Sequence, residues 1–229
     1  MKSNAPIILA LDFPDLKTTL EIIAKTSHVI SIYKLGLEFY LAQGKNGVTK
    51  ILSSFPDIDI FLDLKLHDIP NTVAGACSSV ADLKPRFLTV HASGGAEMVS
   101  AAVGASPGTS ITAVTVLTSL DTDELNKLGL PQQTHALALS MAKRAVEAGA
   151  TSIVCSPHEV GLLRKELSSN IALITPGVRP KGASHDDQVR VMTPREVMDA
   201  GSNYVVIGRP ITKASDPGKT AAEIASSLG

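Results

Sequence analysis

The densest run of chemically capable side chains is Asp63-Leu64-Lys65-Leu66-His67-Asp68-Ile69-Pro70-Asn71-Thr72, in which one lysine stands between two carboxylates in a DxKxxD pattern. On an extended strand Asp63 and Lys65 share one face, while Leu62 and Leu64 take the other. Asp68 falls past the strand, in the turn before a helix that starts near Pro70. Alone, this pattern reads as a local salt bridge. Its company changes that reading, because other apolar runs also end in charged or polar groups: Asp12, Lys34, His91, Thr118-Ser119 and Gly208-Arg209. Charges converging on one mouth are costly unless they pair and serve a ligand. The histidines are read more plainly. His91 is taken as a hydrogen-bonded structural residue, His67 as a group that orients its own loop, and His28, His135, His158 and His185 lack metal-ligand spacing.

The elements that must position these groups follow from the hydrophobic pattern. Short apolar, β-branched runs recur at Ile7–Leu11, Val29–Leu35, Ile58–Leu64, Phe87–Val90, Ile111–Leu117, Ile153–Cys155, Ile171–Ile174 and Tyr204–Ile207. Near-continuous runs of this kind suit parallel strands buried on both faces. Helical spacing lies between them: Leu16, Leu20 and Ile23 form one stripe, and Leu137, Met141, Ala145 and Ala148 another. Ser156-Pro157, Thr193-Pro194 and Asp216-Pro217 read as helix starts, and Gly201 as a helix stop. Eight strand–helix units in 229 residues is about 29 residues each, which fits an α/β chain closed into one (β/α)₈ TIM barrel. Residues 1–229 are therefore read as a single catalytic domain. An open doubly wound sheet is the alternative, but no GxGxxG follows the first strand.

Composition excludes several classes. The chain is 44% hydrophobic and only 3% aromatic, with no Trp, so the core is expected to be built of Ile, Val, Leu and Ala. Lys and Arg number 21 against 22 Asp and Glu, which gives no general attraction to nucleic acid or to an anionic membrane. Cys77 and Cys155 read as buried, reduced thiols. The first apolar run is stopped by Asp12, too short for a signal-peptide core, and no run approaches the ~18 residues of a membrane span. A cytoplasmic protein is expected.

Several motifs in fixed order carry a more specific likeness: LALDFPD at Leu9–Asp15, YKLGLEFYLAQG at Tyr33–Gly44, FLDLKLHDIPNTV at Phe61–Val73 and VHASGG at Val90–Gly95. TVLTSLD at Thr115–Asp121, TPGVRP at Thr175–Pro180, DDQVRVMTP at Asp186–Pro194 and VVIGRPI at Val205–Ile211 complete the set. In these the chain resembles the orotidine 5′-phosphate decarboxylase family of the bacterial type. The resemblance implies cofactor-independent loss of CO₂ from orotidine 5′-monophosphate, giving UMP in the last step of pyrimidine synthesis. It implies Lys65 as the catalytic lysine and Asp63 as the carboxylate beside that of the substrate. Asp12 and Lys34 match the ribose and network positions, and Thr118 a contact to the pyrimidine edge. Asp68 and Thr72 match positions that reach across a homodimer interface into the neighbouring site. Arg179, Gln188, Gly208 and Arg209 match the phosphate end, with Gln188 also reaching toward the base, and the polar stretch 180–188 reads as a lid.

Loss of CO₂ from C6 leaves an electron pair that the ring delocalises poorly, so the protein must supply preorganised charge. Lys65, flanked by Asp63 and Asp68, is expected in its ammonium form, able to offset that charge and then deliver a proton. Two rivals remain at this stage. The metal-dependent 3-keto-L-gulonate-6-phosphate decarboxylase and hexulose-6-phosphate synthase group shares DxKxxD but carries an acidic residue where Lys34 stands, and a lysine is no Mg²⁺ ligand. A non-catalytic nucleotide-binding barrel is the other, and it would be expected to have lost part of the charged set.

Overall fold

Strand and helix alternate along the chain. The computed structural model describes residues 5–130, 133–178 and 192–228. The order is β1 (Ile7–Leu11), α1 (Leu16–Thr26), β2 (Ile32–Gly36), α2 (Leu37–Ser54), β3 (Asp59–Leu66), α3 (Pro70–Val80), β4 (Phe87–His91), α4 (Gly95–Gly104) and β5 (Ser110–Val114). Then come α5 (Thr122–Lys127), α6 (Thr134–Glu147), β6 (Ser152–Val154), α7 (Val160–Glu166), β7 (Ala172–Thr175), α8 (Pro194–Asp199), β8 (Tyr204–Ile207), α9 (Arg209–Thr212) and α10 (Pro217–Ser227). The strands are parallel and close in sequence order, β1 pairing with β2 on one side and with β8 on the other. This is the (β/α)₈ barrel expected from the sequence.

Alternation along each strand produces two apolar layers. Ile8, Ile32, Phe61, Phe87, Ile174 and Val206 fill the lumen. Their neighbours, such as Leu9, Leu35, Leu62, Leu88 and Leu173, pack outward under the helices. The lumen departs from the purely aliphatic core expected. Phe61 meets Phe87 edge-on at 5.6 Å, and Phe87 meets Tyr204 at 5.7 Å. Arg86 lies over Phe87 and Tyr204 and pairs with Asp59 at 2.9 Å. Three of the eight aromatics thus help fill the wide volume that eight converging strands leave, while Tyr33 and Phe39 are buried in the outer layer.

Capping residues fix the helix starts. Asp15 and Asp216 accept the amides of Thr18 and Lys219, and Thr193 forms a reciprocal capping box with Glu196. Four sequence expectations need correction. β2 begins at Ile32, not Val29, because the amides of Val29 and Ile30 still close the end of α1 on the carbonyl of Thr26. β5 stops at Val114, and a turn from Leu117 to Leu120 carries Thr118. Pro157 does not start a helix: Glu159 turns back to accept the Ser156 amide, and α7 begins only at Val160. On α6 the buried face is Ala138, Ala142 and Ala145; of the expected stripe Ala145 is buried, whereas Leu137, Met141 and Ala148 are half-buried. Alanine there lets the helix lie close to the barrel.

That last finding gives a test. Ala142→Leu should destabilise the protein by about 1–3 kcal/mol through overpacking, read as a lower urea midpoint. Met141→Ala should cost less than a fully buried Met→Ala change, for which about 2–5 kcal/mol is usual.

Candidate active site

At the C-terminal ends of β1, β2 and β3, four side chains form a line of alternating charge. Asp12 Oδ1 lies 3.2 Å from Lys34 Nζ, Lys34 Nζ lies 3.2 Å from Asp63 Oδ2, and Asp63 Oδ1 lies 2.8 Å from Lys65 Nζ. The side chains of Lys34 and Asp63 are only 12% exposed, whereas that of Asp12 is 58% exposed. Burial is therefore deepest in the middle of the line, and Lys65 at its far end is again 33% exposed. Burial pulls the Lys34 amine down, but Asp63 and Asp12 outweigh it and hold the ammonium above its ordinary value. Burial likewise pushes the Asp63 carboxyl up, and Lys34 with Lys65 overcomes this to keep it below the usual carboxylate range.

The path to this geometry is less regular than simple alternation. Leu62 pairs with Leu88 but Leu66 pairs with Val90, so β3 bulges against β4. Inside the bulge Lys65 has φ 48°, a left-handed conformation that costs an L-residue about 1–2 kcal/mol. Its amide donates to Thr89 Oγ1 at 2.8 Å, and Thr89 Oγ1 donates to Asp63 Oδ1 at 3.1 Å. Gly36, at the end of β2, is also constrained. A Cβ there would stand 3.0 Å from Asp12 Oδ1 and 3.4 Å from Lys34 Nζ, pressing on the ion pair.

These groups open onto a cavity of about 320 Å³. Across the barrel from the charges, Val114, Val116 and Val154 supply an apolar wall, and Gly208 and Arg209 reach it from the end of β8. Thr118 lines the rim. An open groove on the outside, lined by Glu97, Arg144 and Glu147, contains no strand-end residue. The structure thus brings together Asp12, Lys34, Asp63, Lys65, Thr118, Gly208 and Arg209. It does not bring Asp68 to Lys65 within one chain. Asp68 is exposed, and its Oδ1 accepts the Ile69 amide at 2.7 Å; among the described residues Asp63 is the carboxylate that pairs with Lys65. Thr72 is exposed on the first turn of α3. Arg179, Gln188 and the segment 180–188 lie outside the described residues. His91 corrects its expectation: it makes no side-chain hydrogen bond among the described residues, and its ring instead faces His67 at 5.4 Å. Burial first, then His67 and Lys65, lower its imidazole against the opposing pull of Asp63.

The sequence reading passed over Thr89, Gly36 and the apolar wall. Gly36 lies two residues after Lys34, which is the one signal that could have marked it. Val114, Val116 and Val154 are indistinguishable in sequence from the surrounding β-branched core.

The profile of the orotidine 5′-phosphate decarboxylase / HUMPS family matches residues 5–224. The chain belongs to that family. Within the orotidine 5′-phosphate decarboxylase / HUMPS family it is similar to a protein named orotidine 5′-phosphate decarboxylase from Thermobifida fusca (strain YX), at 51% identity over 98% of this chain and 96% of that one. A protein of the same name from Anaeromyxobacter sp. (strain K) is 46% identical over the full length of both. The crystal structure of orotidine 5′-phosphate decarboxylase from Lactobacillus acidophilus superposes with a TM-score of 0.86 at 34% identity, covering 98% of this chain and 99% of that one.

The charge line carries a pH consequence. Asp63, held below its ordinary value, contributes stability that is complete above pH ~4 and lost as pH falls through its lowered folded value. Lys34, held above its ordinary value, contributes stability that is complete below pH ~10 and lost as pH rises through its raised one. Lys34→Met should destabilise by roughly 1–3 kcal/mol near neutrality. It should also move the acid unfolding midpoint to higher pH, measured by urea unfolding between pH 3 and 7.

Proposed function

We propose that this protein removes CO₂ from orotidine 5′-monophosphate to give UMP, the closing step of pyrimidine nucleotide synthesis, without a metal or organic cofactor. The observation that carries the reading is the order of groups around the barrel mouth: Gly208 and Arg209 just after β8, Asp12 just after β1, Lys34 on β2, Asp63 and Lys65 on β3. An Arg fork suits a phosphate, a carboxylate with an ammonium suits a ribose, and the Asp–Lys pair suits a reacting carbon. Because β8 adjoins β1, these follow one another as phosphate, sugar and base do in a nucleotide. The apolar wall on β5 and β6 suits one face of the base.

In this reading the substrate carboxylate enters beside Asp63 and the Lys65 ammonium. Breaking the C6–carboxyl bond releases neutral CO₂ and leaves the bonding pair on C6. The ammonium offsets that charge as it grows. It then gives its proton to C6, and the neutral amine regains one from solvent. The phosphate grip, remote from the reacting bond, supplies binding energy that holds the reactive arrangement. Arg179 and Gln188 are proposed to complete that grip.

Lys34 favours this reaction over the metal-dependent chemistry known for other sugar-phosphate barrels. Its ammonium already bridges Asp12 and Asp63, the carboxylates that a divalent ion would need. A homodimer is also part of the proposal. Asp68 and Thr72 face solvent near the exposed Ile69, and Leu37 and Leu41 are exposed on α2. A second copy of the chain would cover this apolar surface and bring Asp68 to the partner's Lys65. With that, the protein acts in the cytoplasm on a freely diffusing nucleotide.

The deciding experiment follows loss of orotidine 5′-monophosphate absorbance with purified protein after exhaustive chelation. Unchanged turnover supports the reading, and loss restored by Mg²⁺ overturns it. Lys65→Ala should keep UMP binding while turnover falls more than about 10³-fold. Mixing Asp68→Asn with Lys65→Ala should recover activity in hybrid dimers; inactive mixtures that do contain hybrids would refute the shared site.

A further inference from the structure

Three observations in the barrel wall meet at Thr89. The first is the interrupted pairing of β3 with β4, where four steps from Leu62 to Leu66 match two from Leu88 to Val90. In that slack Lys65 takes its left-handed backbone conformation, one that a residue with a side chain holds only when its surroundings enforce it. The second is that the Lys65 amide donates to Thr89 Oγ1 at 2.8 Å. The third is that the same hydroxyl donates its proton to Asp63 Oδ1 at 3.1 Å, the oxygen that also accepts Lys65 Nζ at 2.8 Å.

A threonine hydroxyl has a single proton and two lone pairs. Here the proton goes to the carboxylate and a lone pair takes the amide, so both ends of the reacting pair are tied to one atom. Thr89 is 0% exposed, which removes water as a substitute for either bond. On β4 it occupies the lumen face between Phe87 and His91, a position whose size and branching valine would match. A hydroxyl in such a wall is costly unless satisfied. Its two bonds explain why it is tolerated.

We infer that Thr89 is a positioning residue for the decarboxylation. Its hydroxyl holds the bulge that carries Lys65 and fixes the rotation of the Asp63 carboxylate, so it sets the approach of Lys65 Nζ to Asp63. This rests on the reading of Asp63 and Lys65 as the reacting pair. Other charged and titratable groups around that carboxylate are Lys34 from β2, Asp12 beyond it on β1, and His91 from β4 with His67 behind it. None of these is hydrogen-bonded to Thr89 among the described residues, so loss of its hydroxyl leaves their own bonds in place.

The test compares Thr89→Val with Thr89→Ser in kcat, in KM for orotidine 5′-monophosphate and in UMP affinity. It adds the carbon-13 NMR titration of the Asp63 carboxyl in ligand-free protein. Thr89→Val should lower kcat about 10- to 100-fold with little change in KM or UMP affinity. The acid limb of kcat and the Asp63 titration should both move to higher pH, because the carboxylate has lost a donor. Thr89→Ser should restore both. Wild-type kcat in Thr89→Val, equal impairment in both variants, or a parallel loss of kcat, KM and UMP affinity would each overturn the assignment. If Thr89→Val does not fold, Thr89→Cys, with a much weaker donor of similar size, replaces it under the same outcomes. Should the wild-type protein fail to turn over its substrate, the decarboxylase reading falls. The ligand-free titration still decides Thr89, since an unmoved Asp63 would refute its role.

Discussion

The site depends on the ammonium of Lys34 being shared between Asp12 and Asp63. Without it, Asp63 would have Lys65 alone to offset the burial that pushes its carboxyl up. With it, Asp63 stays ionised inside the barrel and can receive Lys65 on its other oxygen. Buried ion pairs are poor sources of net stability, because desolvation consumes most of the attraction. Here the return is order: each charge is fixed by the next, so Lys65 is held in place by electrostatics that are already arranged before any ligand arrives.

The links come from three neighbouring strands, with Asp12 after β1, Lys34 on β2 and both Asp63 and Lys65 on β3, which explains why the barrel must be built so regularly around them. The lumen below is sealed by Phe61, Phe87 and Tyr204, leaving the charged layer open only upward. Gly36 keeps a methyl away from the Asp12–Lys34 contact. The irregularities concentrate at β3, where the bulge and the left-handed Lys65 store strain at the point where the chemistry is proposed.

Much of this was legible in the sequence because buried parallel strands leave an unmistakable trace. β1 and β8 match their apolar runs residue for residue, and the charges at Asp12, Lys34, Asp63, Lys65 and Arg209 stood out against those runs. Where an apolar run outlasts the strand, as at Val29 or Val116, periodicity alone could not tell a helix end or a turn from a strand. The alanine face of α6 was masked by the larger Leu137 and Met141 beside it. Alternation led to the right pairing of Asp63 with Lys65, yet through a backbone that does not alternate. Thr89 left no trace at all, since a threonine in a strand is ordinary until its partners are known.

Closure of the barrel between β1 and β8 has a consequence for how the protein comes to exist. The ends of the site are contributed by the first and last strands of the chain, nearly two hundred residues apart in Leu9 and Ile207. During synthesis the charged residues of β1 to β3 emerge early but stay open to water until β8 docks, a contact of very high sequence separation. The final strand therefore acts as a checkpoint. A chain that stops before β8 carries the charged residues of β1 to β3 but lacks Gly208 and Arg209, and its barrel stays open.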